Sequence, residues 1–484
     1  MTTAVASRSA PATASRVSPH LVTAGFAAFV VAAIAAHQGP ALRWVFPLLA
    51  VAVAAQLYWR AGFPAYIAFA WAIWMVSPGL RRVVDYQAGG WDPENPISLA
   101  PFLVSGLAVA SVVRRLPELR RRRFMPWIVI LLAVCYGYFA GILEMGMLAS
   151  THALLTWAVP LLCGLAIALE WRVYPASAAG ISRVFFWGGV VLAAYAVVQF
   201  INPPPWDRLW VASAGMQSVG QALPFQLRVF SLSNAPLALA TLLGAALFLG
   251  MAQRGSWRVA GIAVIAVALL LTLVRSVWLA TMAGALVYVA RMPRRLAVRF
   301  ACATICVAAA VIAIPTLLGS ATSAPAVEAV TSRVATFADL HNDISYNQRA
   351  SFMDQVSTVV LERPLGHGLG STGVSSQLAQ PDESGVRDFD SGIFAALYAL
   401  GWFGGAALLG ATIWMTLAGL THLEGPGDMH AAAARAIMVG SVLLSIGGNV
   451  FDGVSAAVLW GFAGLLVAAQ QWHHVHTPRS RRRA

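Results

Sequence analysis

A chain of 484 residues that is 59% hydrophobic and only 11% charged, with mean hydropathy +0.72, excludes an ordinary soluble domain, where roughly a quarter of residues are charged. Its repeated apolar runs of about 15 to 25 residues suffice to cross the hydrocarbon core as helices and predict an all-α polytopic membrane protein with about 12–14 spans. The 32 basic residues, all of them Arg, outweigh 19 acids to give +13, but the distribution of that charge argues against nucleic acid as a partner.

In chain order, residues 1–20 read as a disordered cytoplasmic tail, rich in Ala, Ser and Thr. Apolar runs then begin near Leu21, Ala41, Gly62, Leu99, Met125, Thr151, Ile181, Ala235, Val259, Ser276, Phe300, Gly392, Ala436 and Val454. Those before residue 318 form one membrane portion, and the last three lie within 392–472. The stretch from Val259 to Ala290 is interrupted only by Arg275. As one helix it would be about 48 Å long, too long for a bilayer without steep tilt. Arg254 and Arg258 precede it, and Arg291, Arg294 and Arg295 follow it. Basic residues collect on the cytoplasmic side, so both ends belong there and Arg275 falls at an outer hairpin turn. The register then closes with both termini inside, 22 Arg and 4 acids facing inward, and 10 Arg and 15 acids facing outward. The basic residues 473–484, with His473, His474 and His476, read as a second cytoplasmic tail. The cysteines (Cys135, Cys163, Cys302, Cys306) all lie in apolar runs and read as small core hydrophobes.

Three outer loops are expected: Pro78 to Ser98, Asn202 to Asn234, and the large extracytoplasmic loop of residues 319–391. Within the last, SYNQRASFMDQVSTVVLERP places Phe352, Val356, Val359 and Val360 at helical spacing before Pro364 and predicts an amphipathic helix. The following RPLGHGLGS resembles a phosphate-cradling loop in its glycine spacing. It lacks the Lys-Ser/Thr of a P-loop and any strand-to-helix setting, so a turn-forming role is favoured over ligand contact.

Arg228 in LPFQLRVFSLSN, Arg275 in LTLVRSVWLA and Arg349 on the loop helix gather near the outer face. Charge at membrane depth is costly and is usually paired or functional, and guanidinium groups bind phosphate oxygens bidentately. Each alone reads equally as an interfacial anchor; together they point to an anionic site. Candidate proton acceptors on the same face are Asp390, Asp388, His367, Asp343 and His341. Asp390, before a span, is equally suited to cap a helix. No cluster of residues has metal-ligand spacing, and no cofactor is expected.

Four stretches together resemble the O-antigen ligase-like family, which includes bacterial O-antigen and exopolysaccharide polymerases and O-antigen ligases. They are LRVFSLSNAP (Leu227 to Pro236), LTLVRSVWLATMAGALV (Leu271 to Val287), NQRASFMDQVSTVVLERPLGHGLGS (Asn347 to Ser371) and DSGIFAALYALGWFGG (Asp390 to Gly405). The resemblance implies an all-helical glycosyltransferase of the bacterial cytoplasmic membrane. It would use an undecaprenyl-diphosphate-linked oligosaccharide donor and an acceptor glycan, with flippase and chain-length regulator proteins as partners. It assigns the donor diphosphate to Arg228 and Arg275, with Arg349 a looser match. The ligases carry His-Asn where this chain has Asp390-Ser391, which favours a polymerase over a ligase. Asp390, or His367 as second choice, is then the expected base. A flippase or secondary transporter is the competing class, but would need polar sites at the bilayer midplane and a pseudo-repeat.

Overall fold

The computed structural model describes residues 18–214, 219–290, 360, 363–379, 389–421 and 427–476. Among these the chain is helical apart from turns and one isolated antiparallel bridge, Gly220–Leu227. Among the described residues eight helices are long and apolar enough to cross a membrane, and five shorter apolar helices of 15 to 17 residues accompany them. The run expected near Phe300, the amphipathic loop helix apart from Val360, and both extreme termini lie outside the described residues.

The helices used below are α1 (Pro19–Ala35), α2 (Gly39–Gln56), α3 (Phe63–Gln87), α4 (Ala100–Gly106), α5 (Val109–Arg114), α6 (Met125–Met145), α7 (Met147–Leu169), α8 (Tyr174–Ile201), α9 (Pro205–Ser213), α10 (Pro236–Met251), α11 (Trp257–Leu271), α12 (Arg275–Val289), α13 (Val374–Ala379), α14 (Gly392–Thr421), α15 (Met429–Leu444) and α16 (Gly453–His476). Many carry Pro in the first turn, including Pro19, Pro40, Pro64, Pro126, Pro175 and Pro236. There its missing N–H costs nothing and its fixed φ starts the helix.

Side-chain contacts show which helix ends lie together. At one end the amide of Gly39 donates to Gln87 (3.1 Å), Arg363 pairs with Glu144 (2.9 Å) and Ser391 donates to the Ser445 carbonyl (3.2 Å). At the other, Arg115 pairs with Glu170 (2.6 Å) and Arg172 with Glu118 (3.0 Å). There Asp428 also accepts from Tyr174 and meets His473, each at 2.8 Å. We term these the loop end and the arginine end. His473, His474 and His476, read from sequence as tail, continue α16. The core is sealed by aromatic contacts such as Trp71–Phe185 and Phe185–Phe462. The backbones of α7 and α16 touch at Gly164 and Gly464, the close approach that small residues permit between membrane helices.

The expected outer loop from Pro78 is shorter than the sequence suggests, because α3 runs through Pro78 to Gln87. Neighbouring helices commonly re-satisfy the backbone around a membrane-helix Pro. The polar residues that read as loop, Arg82 and Asp85, are instead buried helix residues, 1% and 2% exposed.

Two segments of irregular backbone insert between helices at the loop end. In the first, Ser231 donates to the carbonyl of Leu192 (2.6 Å), nine residues and about 13 Å below the end of α8. In the second, the amide of Leu369 donates to the carbonyl of Gly137 (2.7 Å), eight residues and about 12 Å below the end of α6. Such backbone is tolerated at membrane depth only where protein buries it, and Ser231, Leu369 and Ser371 are each at most 1% exposed.

The second insertion is the glycine-rich RPLGHGLGS. The amides of Gly366, His367, Gly368 and Leu369 donate to the carbonyls of Arg363, Tyr398, Ala399 and Gly137, so these four are already occupied and do not cradle phosphate. α14 breaks at Gly401 (φ 68°). There Trp402 donates to Pro364, and the carbonyls that a regular helix would have used take the loop amides instead. Gly368 has φ 77°, and any Cβ on it would collide with the backbone of Gly141. Gly368→Ala is therefore expected to cost about 1–3 kcal/mol. Gly410→Ala, in open space on α14, is expected to cost nothing, and thermal unfolding in detergent compares the two.

Candidate active site

Leu227 and Phe230 are buried with Trp210 and Val219, and the Arg228 amide donates to Val219 (2.9 Å). This anchors the backbone on both sides of Arg228 and leaves its side chain half-buried. The guanidinium Nε and Nη2 reach the carbonyls of Thr272 and Leu273, each at 3.4 Å. Those carbonyls close α11, where the helix dipole is negative and a cation is favoured.

The predicted break at Arg275 is present. α11 ends at Leu271 and α12 begins at Arg275, joined by a turn in which Leu273 has φ 54°. That value is unusual for a side chain of its size. The turn is pinned by Thr272 Oγ donating to Leu269 (2.6 Å) and Trp278 Nε1 donating to the same carbonyl (3.0 Å). Arg275 thus stands on the first turn of a helix, whose leading amides have no intrahelical acceptor and whose dipole is positive. Arg228, Arg275 and the start of α12 place three sources of positive potential at one turn.

Asp390 is exposed. The Ser391 carbonyl accepts the first bond of α14 from Ala395 (3.0 Å), and Asp390 stands one residue further out. The start of α14 is fastened to the turn after α15 by Gly392 to Gly448 (3.1 Å) and Ile393 to Ser445 (3.3 Å). In that turn Gly447 packs against Ser276. One turn of backbone therefore links Asp390 to Arg275. His367 is 8% exposed, stacked on Tyr398 at 3.9 Å with 10° between rings, its Nδ1 3.3 Å from the Tyr398 carbonyl; Phe389, the neighbour of Asp390, packs on the same Tyr398 ring at 4.9 Å. Arg349, Asp388, Asp343 and His341 lie outside the described residues. Among the described residues no three His, Cys, Asp or Glu side chains converge as a metal site.

The helices around this turn are short. α10, α11, α12 and α15 have 15 or 16 residues, about 22–24 Å against a hydrocarbon core of about 30 Å. They pack on one another, so the turn they support lies within reach of the membrane rather than above it.

Sequence reasoning missed the network beneath Arg228. Arg82 and Asp207, both fully buried, form an ion pair at 2.8 Å. Arg82 also donates to the carbonyls of Ser231 and Ser233 and lies over the Phe230 ring at 4.8 Å. Asp207 accepts from Tyr195 (2.8 Å) and Gln199 (2.7 Å), and Gln199 in turn accepts the amides of Phe230 and Ser231, both at 2.9 Å. Through Arg82 and Gln199 the network holds the FSLSN segment that follows Arg228. The available signal was the Arg81-Arg82 pair inside a run otherwise apolar enough to be a span.

No curated protein matches the chain. A family model described as O-antigen ligase matches residues 260–409, from α11 to the second half of α14; it takes in Arg275, His367 and Asp390 and leaves out Arg228 and the Arg82 network. Over that segment the chain is similar to the O-antigen ligase family, and the described residues have the apolar helices of a multi-pass membrane protein.

Proposed function

We propose that the protein is a membrane glycosyltransferase that polymerises oligosaccharide repeats carried on undecaprenyl diphosphate. The loop end faces outward from the bacterial cytoplasmic membrane. The observation that carries this reading is the convergence of Arg228 and Arg275 on the α11–α12 turn. The orientation is supported by the charge distribution, 22 of 32 Arg lying in segments at the arginine end or in those assigned to the same side.

The chemistry follows from these residues. Diphosphate is a good leaving group, so its departure needs charge stabilisation more than protonation. Arg228 and Arg275 hold the diphosphate oxygens as the anomeric C–O bond breaks, with no call on a metal. The acceptor sugar hydroxyl attacks the anomeric carbon from the opposite face, inverting it, and Asp390 takes the hydroxyl proton. Exposure favours Asp390 over the stacked and buried His367 as the group within reach of an acceptor. The glycine-rich insertion shapes the site by fixing the start of α14, and binds no phosphate through its packed amides.

Asp390-Ser391 in place of His-Asn favours exopolysaccharide or capsule polymerisation over ligation to a lipid core or protein. Purified protein given a synthetic lipid-diphosphate oligosaccharide is expected to yield a ladder of polymers. A single transfer to an added acceptor would instead make it a ligase, and no turnover with lipid translocation in vesicles would make it a transporter.

A further inference from the structure

At the arginine end, remote from the site above, a cavity of about 420 Å³ opens between the start of α6, the second half of α14, α15 and α16. Its inner wall is apolar, formed by Met415, Met438, Leu466 and Val467, and its mouth carries Arg122, Arg123 and Gln471. The lining on α16 runs from Ala463 to His474, eleven residues or about 16 Å, close to half of the roughly 30 Å hydrocarbon core.

One feature of the mouth lacks a protein explanation. Gln471 is 3% exposed, yet neither its Nε2 nor its Oε1 has a hydrogen-bond partner among the described residues. Buried amides are otherwise almost always paired, because an unpaired one forfeits its hydration. Arg122 and Arg123 also have no ion-pair partner among the described residues; the neighbouring Glu118 is engaged by Arg172 (3.0 Å) and Arg115 (3.6 Å).

We infer that this cavity binds an anionic glycerophospholipid from the leaflet at the arginine end. Arg122 and Arg123 supply the attraction for its phosphate, and Gln471, able both to donate and to accept, meets a headgroup hydroxyl. The apolar wall takes one acyl chain. Basic pockets between membrane helices hold anionic headgroups by this combination of charge and burial. The ligand requires both negative charge and a hydroxyl-bearing headgroup, as in phosphatidylglycerol.

Native mass spectrometry of the delipidated full chain, titrated with phosphatidylglycerol, phosphatidic acid or phosphatidylcholine of matched acyl chains, tests this. The wild type is expected to retain one phosphatidylglycerol about 10- to 30-fold more tightly than phosphatidylcholine. R122Q/R123Q, altered only at exposed side chains, is expected to lose that preference. Q471L is expected to lose the preference for phosphatidylglycerol over phosphatidic acid while keeping that for anionic over zwitterionic lipid. Equal retention of phosphatidylglycerol and phosphatidylcholine by the wild type, or an undiminished preference in R122Q/R123Q, overturns the proposal. So does displacement of the bound phospholipid by a polyprenyl phosphate at equal concentration.

Discussion

Replacing Arg275 by Ala is expected to lower donor turnover about 100- to 1,000-fold, the usual cost of removing one preorganised group that stabilises developing charge. Arg275 is the more informative of the two arginines. Arg228 also closes α11 through the Thr272 and Leu273 carbonyls, so its loss mixes catalysis with about 0.3–1 kcal/mol of helix-end stabilisation. Arg275 begins a helix, where its charge does not stabilise the helix end. Arg275→Lys keeps the charge but not the planar two-point geometry, and intermediate turnover is expected. Assay with a lipid-diphosphate oligosaccharide, alongside a melting curve, separates these outcomes. Undiminished polymer output from Arg275→Ala would remove the diphosphate role.

Arg82→Ala is expected to have the largest effect on stability, about 3–5 kcal/mol, because it strands Asp207 as an unpaired buried charge. Asp207→Ala should cost a similar amount by stranding Arg82. The double variant Arg82→Met/Asp207→Leu should be more stable than either single variant, since removing both charges together abolishes the desolvation penalty. The buried pair nonetheless has a purpose in placement: Arg82 and Gln199 between them hold the carbonyls of Ser231 and Ser233 and the amides of Phe230 and Ser231. The double variant should therefore fold yet bind donor more weakly, with Arg228 less well held. Thermal unfolding and donor KM measured on the three proteins test both statements. A double variant no more stable than the singles would contradict the ion-pair argument.

Most of the helical layout was legible because a span is a local property: about twenty apolar residues suffice, and charge at the ends orders them. The hairpin at Arg275 is the clearest case. Helix length and flanking arginines require two passes, and the turn lies at Thr272–Val274. The same local reasoning misplaced the end of α3, because it treats buried polar residues as loop. Arg82 is hidden by a partner on α9, more than a hundred residues along the chain. The glycine spacing of RPLGHGLGS was legible as unusual backbone, but its meaning lies in contacts with Gly141 on α6 and the break at Gly401, which no local pattern records. Arg228 and Arg275 were identifiable singly by charge near a membrane face; that they meet at one turn is a tertiary fact.

The measurement that bears most directly on the proposed site is equilibrium binding of undecaprenyl diphosphate and undecaprenyl monophosphate to wild-type and Arg228→Ala/Arg275→Ala proteins in the same detergent. The wild type should bind the diphosphate at least about tenfold more tightly than the monophosphate, as expected for bidentate guanidinium contacts to the extra phosphate, and the double variant should lose that difference while still binding the lipid chain. An undiminished preference for diphosphate in the double variant would place the donor's charge elsewhere in the molecule.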